Sequence, residues 1–198
     1  MTRNIGIYSG TFDPIHVGHI TFAKDATREL NLDAVIFLPE PQPRGKRHAT
    51  DIRHRIELIK QATQNDSILQ VLHLSSQQFT ITETLPELRS QFADANFTLL
   101  VGSDIIQTFT YRWDNLEILL KEVVLAVGMR TGDNEQKLES IFAQLEIQYS
   151  MQIQRVYIHT DAAHIASSQF RSSTGDMSQL PHTGMMKYIQ ENNLYGSL

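Results

Sequence analysis

Two histidines set the chemical question. His16 and His19 stand three residues apart in the run Gly10-Thr11-Phe12-Asp13-Pro14-Ile15-His16-Val17-Gly18-His19. On the opening turn of a helix that spacing puts both imidazoles on the same side. The first backbone N–H groups of a helix lack intrahelical partners and carry partial positive charge, so such a corner suits an anion, phosphate above all. Gly10 and Gly18 carry no Cβ, which lets the chain turn tightly and a phosphate approach the backbone. A single histidine at a helix start is more often a cap or a surface residue. Two histidines, two glycines and an Asp-Pro turn gathered after a first strand argue for a site instead. Zinc is the rival ligand, but the chain has no cysteine and no HExxH, and nothing nearby supplies two further ligands. No metal ligation by protein side chains is therefore expected.

Other segments carry chemistry more ambiguously. The stretch Pro39-Glu40-Pro41-Gln42-Pro43-Arg44-Gly45-Lys46-Arg47-His48 is too proline-rich for helix or central strand, and its basic end could fold over a polyphosphate or be a solvated loop. Gly102-Ser103-Asp104 follows a strand pattern; Asp104 could accept hydrogen bonds from ribose hydroxyls or cap the helix from Ile105 onward. Trp113, the sole tryptophan, lies among polar residues and offers either a stacking face for a heteroaromatic base or packing at the core edge. In Ile165-Ala166-Ser167-Ser168-Gln169-Phe170-Arg171, two hydroxyls open a helix and a guanidinium follows a turn later, which is either an ordinary cap or a polyphosphate cradle.

The elements that must position these groups read as alternating strands and helices. Short apolar runs at 5–8, 34–38, 71–74, 97–101, 122–127 and 155–158 predict strands, the first two joined by the helical pattern Ile20, Ala23, Ala26, Leu30. Thirty residues for strand, helix and strand is the size of a βαβ unit. Further helices are expected at 55–62, after Thr80 or Thr82, and at 134–148. The fold class is α/β: a doubly wound, mostly parallel sheet of five to six strands with helices on both faces. Ligands collect beyond the carboxyl ends of such strands, so Gly102 and Asp104 should share a crevice with His16 and His19. P-loop and GxGxxG signatures are missing, so any nucleotide must be held by the histidine-bearing turn. A single domain over 1–198 is expected, with about 160–198 as a small helical subregion.

Composition narrows the classes. At 198 residues and 41% hydrophobic content the chain can bury a sizeable core. A net charge of -5 disfavours a general nucleic-acid or membrane-surface binder, so any phosphate site must be local. Zero cysteines exclude disulfides, and no segment approaches the roughly 20 apolar residues a membrane span needs. With no secretory leader pattern at the amino terminus, a cytoplasmic protein is expected.

Gly10-Thr11-Phe12-Asp13-Pro14 followed by His16-x-Gly18-His19 resembles, without a gap, the signature of the HxGH nucleotidyltransferase superfamily. Segment 165–171 is similar to its ISSTxxR signature, with Ala166 for the first Ser and Ser168 for Thr. Gly102-x-Asp104 with Trp113, Arg130-Thr131-Gly132, Thr84-Leu85 and the tail Tyr188-Ile189-x-x-Asn192-x-Leu194-Tyr195 narrow the resemblance to nicotinate-nucleotide adenylyltransferases, over nearly the full chain. Two segments depart: the family's Asn-x-Pro-His-Lys loop is Gln42-Pro43-Arg44-Gly45-Lys46 here, and its Ser-Tyr-Thr is Phe79-Thr80-Ile81.

The resemblance implies a Rossmann-like fold and transfer of AMP from ATP to the 5′-phosphate of a pyridine mononucleotide, in the biosynthesis of NAD. It implies His16, His19, Lys46 and Arg171 as catalytic residues. ATP would be held by Gly10, Thr11, Phe12, His16, His19, Gly102, Asp104, Ser167, Ser168 and Arg171, and the acceptor by Thr80, Trp113 and Arg130. Mg²⁺ would arrive bound to ATP oxygens. The partners implied are small-molecule substrates, with no nucleic acid or membrane, and homo-oligomers are compatible. The alternatives are adenylyl transfer to nicotinamide mononucleotide or another phosphate monoester, and a noncatalytic nucleotide-binding regulator.

Overall fold

The computed structural model describes residues 2–196 apart from Arg47, Leu74, Arg112, Ala163 and 173–175. Its elements run β1 (Asn4–Gly10), α1 (Val17–Leu30), β2 (Ala34–Pro39), α2 (Ile52–Thr63), β3 (Leu69–Val71), α3 (Thr84–Gln91), β4 (Asn96–Gly102), α4 (Ser103–Ile106), α5 (Leu116–Glu122), β5 (Val123–Met129), α6 (Glu135–Tyr149), β6 (Arg155–His159), α7 (Ser167–Arg171), a 3₁₀ turn (Met177–Gln179) and α8 (Thr183–Glu191). The six strands form one sheet in the order β3-β2-β1-β4-β5-β6, every neighbouring pair parallel. This is the doubly wound α/β architecture expected from the sequence. The order reverses between β1 and β4, where the chain winds away in opposite directions and a crevice must open at the carboxyl ends.

Strand alternation loads both faces. All six residues of β2 are buried, as a strand covered on two sides requires. On one face Ile5, Ile7, Ile36, Phe97, Leu99, Leu125 and Val127 pack against α3 to α6. On the other, Val35, Phe37, Leu100 and Ala126 meet α1 and α2, together with Phe170 of α7, Met185 and Ile189 of α8, and Tyr195. The carboxyl-terminal stretch thus contributes to the same core as the first two helices.

Several elements differ from the sequence reading: the N-cap of α3 is Glu83 and not Thr80 or Thr82, and α5 has no counterpart in it. β3 lies earlier than the 71–74 run: it pairs Leu69, Gln70 and Val71 with Val35, Ile36 and Phe37, and buries Leu69. Leu74 falls outside the described residues. Helix α2 starts at Ile52 rather than Arg55, because Asp51 is a good N-cap and its carboxylate accepts the Arg53 N–H at 2.8 Å. The reading of 134–148 as a helix is matched by α6, with the Asn134 side chain accepting the Lys137 N–H at its start.

Candidate active site

The site begins where β1 gives way to α1. His16 is the N-cap of α1, in extended backbone conformation, and its own N–H donates to Nδ1 of His19 at 3.2 Å. A neutral imidazole that accepts at Nδ1 carries its proton on Nε2, so this bond makes His19 Nε2 a donor. The two rings lie close, centroids 3.8 Å apart and tilted by 33°. His16 is only 3% exposed. It stacks on Phe170 at 5.9 Å, and Phe12 meets His19 edge-on at 5.1 Å. Gly18 allows a close approach here: a Cβ on it would stand 3.0 Å from both His16 Nδ1 and the Ala162 carbonyl, and one of them would have to give way.

Burial decides the charge state of both rings. Desolvation, helped by the Arg130 charge, pulls the His16 pKa down to about 4. Desolvation and then the neighbouring His16, Lys46 and Arg130 hold His19 well below the usual histidine range. Both imidazoles are uncharged at neutral pH and can serve a phosphate as N–H dipoles, not as cations.

The turn between strand and helix is held from several sides. Phe12 sits at φ 49, a left-handed conformation unusual for a bulky residue, with its ring buried. Such a conformation costs about 1–3 kcal/mol and persists only when its surroundings impose it. Arg55, fully buried in α2, donates Nη1 to the carbonyls of Thr11 (2.8 Å) and Glu40 (2.9 Å), Nη2 to Pro41 (3.1 Å) and Nε to Thr50 (2.7 Å). Asp13 is buried and accepts from the Tyr195 hydroxyl at 2.9 Å and the Thr50 N–H at 3.1 Å. From above, Arg171 donates to the Asp13 carbonyl at 2.6 Å, Ser167 to the Pro14 carbonyl at 3.0 Å, and Lys46 to the Thr11 hydroxyl at 2.9 Å. The two sequence motifs are therefore bonded directly to each other.

Above the histidines lies a cavity of about 300 Å³, whose wall includes His16, His19, Lys46, Arg130, Ser167, Ser168 and Arg171. Its three cations, Lys46, Arg130 and Arg171, gather positive charge in a chain whose net charge is -5. Desolvation, and next the nearby Arg171, lowers the Lys46 pKa. Gly102 lines the cavity and also takes the N-cap position of α4, so Asp104 falls in the first turn and is not the cap. Its carboxylate reaches Arg130 at 3.4 Å. Gly10, Thr11 and Phe12 build the turn and not the cavity wall: Phe12 is buried, and Thr11 is engaged by Lys46 and Arg55.

The residues assigned by sequence to the acceptor do not lie together. Arg130 is on the histidine cavity, whereas Thr80 and Trp113 border a second cavity of about 180 Å³, with Arg44 beside them. Trp113 is half-buried: its Nε1–H donates to Thr108 at 2.9 Å and its ring packs on Phe109 at 5.3 Å. Arg55 and Tyr195 are the residues the sequence reading missed. For Arg55 a signal existed, since it falls on the apolar stripe of α2 with Leu58 and Ile59, where a charged residue must find partners.

The chain is similar to known proteins over most of its length. A model of the cytidylyltransferase-like family matches residues 7–174. A probable nicotinate-nucleotide adenylyltransferase of Neisseria meningitidis serogroup A is 33% identical over 198 residues, covering 98% of each chain. One of Borrelia garinii is 29% identical, over 96% of this chain and 94% of its own. The solved nicotinic acid mononucleotide adenylyltransferase of Plasmodium falciparum, complexed with NaAD, superposes with a TM-score of 0.77 at 21% identity, covering 99% of this chain and 98% of its own, a likeness of fold. With the family model matching from the β1 strand through α7 and the relatives matching along nearly the whole length, this chain belongs to the cytidylyltransferase-like family and groups within it with the nicotinate-nucleotide adenylyltransferases.

Proposed function

We propose that the protein is an adenylyltransferase that moves AMP from ATP to the 5′-phosphate of nicotinate mononucleotide, yielding the deamido dinucleotide and pyrophosphate in NAD biosynthesis. The observation that carries this reading is the pair of neutral imidazoles at the α1 N-terminus on a cavity ringed by Lys46, Arg130 and Arg171. An oxygen of the acceptor phosphate attacks the α-phosphorus of ATP in line, and the bond from that phosphorus to the β-bridging oxygen breaks. Charge then builds on the equatorial oxygens and on the departing pyrophosphate. Donors fixed before the reaction stabilise such charge without reorganising, and positioning supplies most of the remainder. His16 and His19 are the donors toward the transferring phosphate. Lys46, Arg171 and the Ser168 hydroxyl face the leaving group. Ser167, on the same wall, also donates its hydroxyl proton to the Pro14 carbonyl and so ties α7 to the turn.

Gly102 and Asp104 take the adenosine side in this reading, and Trp113 the pyridine ring. Among the described residues no cluster of three or more His, Asp or Glu could hold a metal, and Asp104 is paired with Arg130. We assign Mg²⁺ to the triphosphate oxygens of ATP, where it would neutralise charge on the transferring and leaving phosphates. We further read the chain as one domain acting in the cytoplasm on small molecules; among the described residues no helix is long and apolar enough to cross a membrane. The test is pyrophosphate release by the purified protein with Mg·ATP and either nicotinate or nicotinamide mononucleotide. Acceptor-dependent release with dinucleotide formation is expected, faster with nicotinate mononucleotide. Release with neither acceptor would refute the reading.

A further inference from the structure

Resting on that reading, we propose that Arg44 recognises the carboxylate of the acceptor's pyridine ring and so sets this chain's preference for an acidic over an amide-bearing mononucleotide. Arg44 borders the second cavity together with Trp113 and Thr80. Its guanidinium is held by one edge only. Nε–H donates to Gln78 Oε1 at 3.0 Å, and Gln78 in turn donates Nε2 to the Gln42 carbonyl at 2.7 Å. Among the described residues neither terminal nitrogen of Arg44 has a hydrogen-bond partner. A guanidinium clamped at Nε with both terminal NH₂ groups open is a fork awaiting a planar anion, and a carboxylate fits it with two parallel bonds.

The neighbours define what sort of carboxylate. The half-buried indole of Trp113 supplies a flat apolar surface beside the cation, which suits an aromatic ring bearing the acid. Asp114 also lies on this wall and would oppose an anion; both it and Arg44 are solvent-exposed and screened, but Arg44 is tethered in place by Gln78. The loop itself joins this cavity to the transfer site. Gly45, at φ 74, stands between Arg44 on the second cavity and Lys46 on the first, a backbone conformation that glycine adopts without strain. One acceptor can thus present its phosphate near Lys46 and its ring near Arg44.

The experiment compares kcat/KM for nicotinate and nicotinamide mononucleotides at saturating Mg·ATP in the wild type, Arg44→Gln and Arg44→Lys. Charge-assisted bonds of this kind predict a fall in the nicotinate-to-nicotinamide ratio of about 10- to 100-fold in Arg44→Gln, carried by KM. Arg44→Lys, which keeps the charge and loses the fork, should fall between. Arg44 is exposed, so neither variant threatens the fold. A ratio within about twofold of wild type in both variants, with the wild type active, overturns the role of Arg44 and leaves the adenylyl-transfer reading standing. A wild type inert with both acceptors overturns the two together.

Discussion

If His16 is buried and neutral, acid should weaken this fold in a way that one substitution removes. The His16 pKa is about 4 in the folded chain, against about 6.5 for an unperturbed histidine. The unfolded chain therefore takes up a proton as the pH falls through about 6.5, while the folded chain resists until about 4. Stability from this group is complete above the unfolded value and is lost across that window, with no further change below it. From pH 7.5 to 5.0 the loss attributable to His16 works out at about 2 kcal/mol. His19, depressed in the same direction, adds to the wild-type loss. Asn at position 16 is a good N-cap and keeps the backbone N–H that His19 accepts, so His16→Asn should retain the turn while removing the titration. Urea unfolding of both proteins at pH 7.5 and 5.0 measures the difference. The wild type should lose about 2 kcal/mol more than the variant over that interval. Equal losses would mean that His16 ionises freely in the folded chain, and burial would not be what keeps it uncharged.

Three further outcomes follow from the geometry. His19→Ala should lower kcat by about 10²- to 10³-fold, the usual cost of deleting one donor to a developing charge, with the far-UV circular dichroism unchanged; near-normal turnover would remove His19 from the chemistry. Trp113→Ala should raise KM for the pyridine mononucleotide by about 2- to 10-fold through lost stacking and leave KM for ATP alone, so equal shifts in both would discard the stacking role. Arg55→Met removes four hydrogen bonds from a buried guanidinium to part-buried carbonyls and should destabilise the protein by about 3–5 kcal/mol in urea unfolding; a cost below about 1 kcal/mol would show that the turn does not depend on Arg55.

What could be read in advance was what lies within one segment. The β1–α1 turn brings His16, Gly18 and His19 together through local backbone geometry, and strand and helix periods marked the units on either side. Strand order was not legible, and much of the site depends on it. Gly102 and Gly128 are partners in the β4–β5 register, which is why Asp104 and Arg130, just beyond those strand ends, form a pair, with Arg130 on the first cavity. The resemblance places Arg130 with the acceptor, and the register adds that it lines the histidine cavity beside Asp104. Tyr195 was equally out of reach as a support, because its bond to Asp13 spans 182 residues. The third strand was misplaced because Val71 to Leu74 looked the more apolar run, whereas pairing with β2 and burial of Leu69 selected the residues before it.

The distribution of charge in the cavity bears on how the reaction is served. Had both imidazoles been protonated, they would sit 3.8 Å apart as like charges, near Lys46 and Arg130, and would repel each other and those cations. Burial against Phe170 and Phe12 avoids this by keeping the centre uncharged. In the proposed reaction the charges stand at the rim, where a leaving pyrophosphate would gather the most negative charge, and oriented N–H dipoles stand where the phosphorus changes partners. A dipolar centre binds a singly charged diester-like phosphate only modestly, so its stabilisation grows as charge develops there, which is the differential that raises a rate. That arrangement needs the strained turn at Phe12 to hold its shape. The bonds that fix it come from α2, α7, the Lys46 loop and the chain's last described residues, none of which is adjacent to it in sequence. The donors are therefore positioned only once α2, the Lys46 loop and the carboxyl-terminal stretch have docked on the turn, so loosening any one of these distant ties should cost catalysis as well as stability.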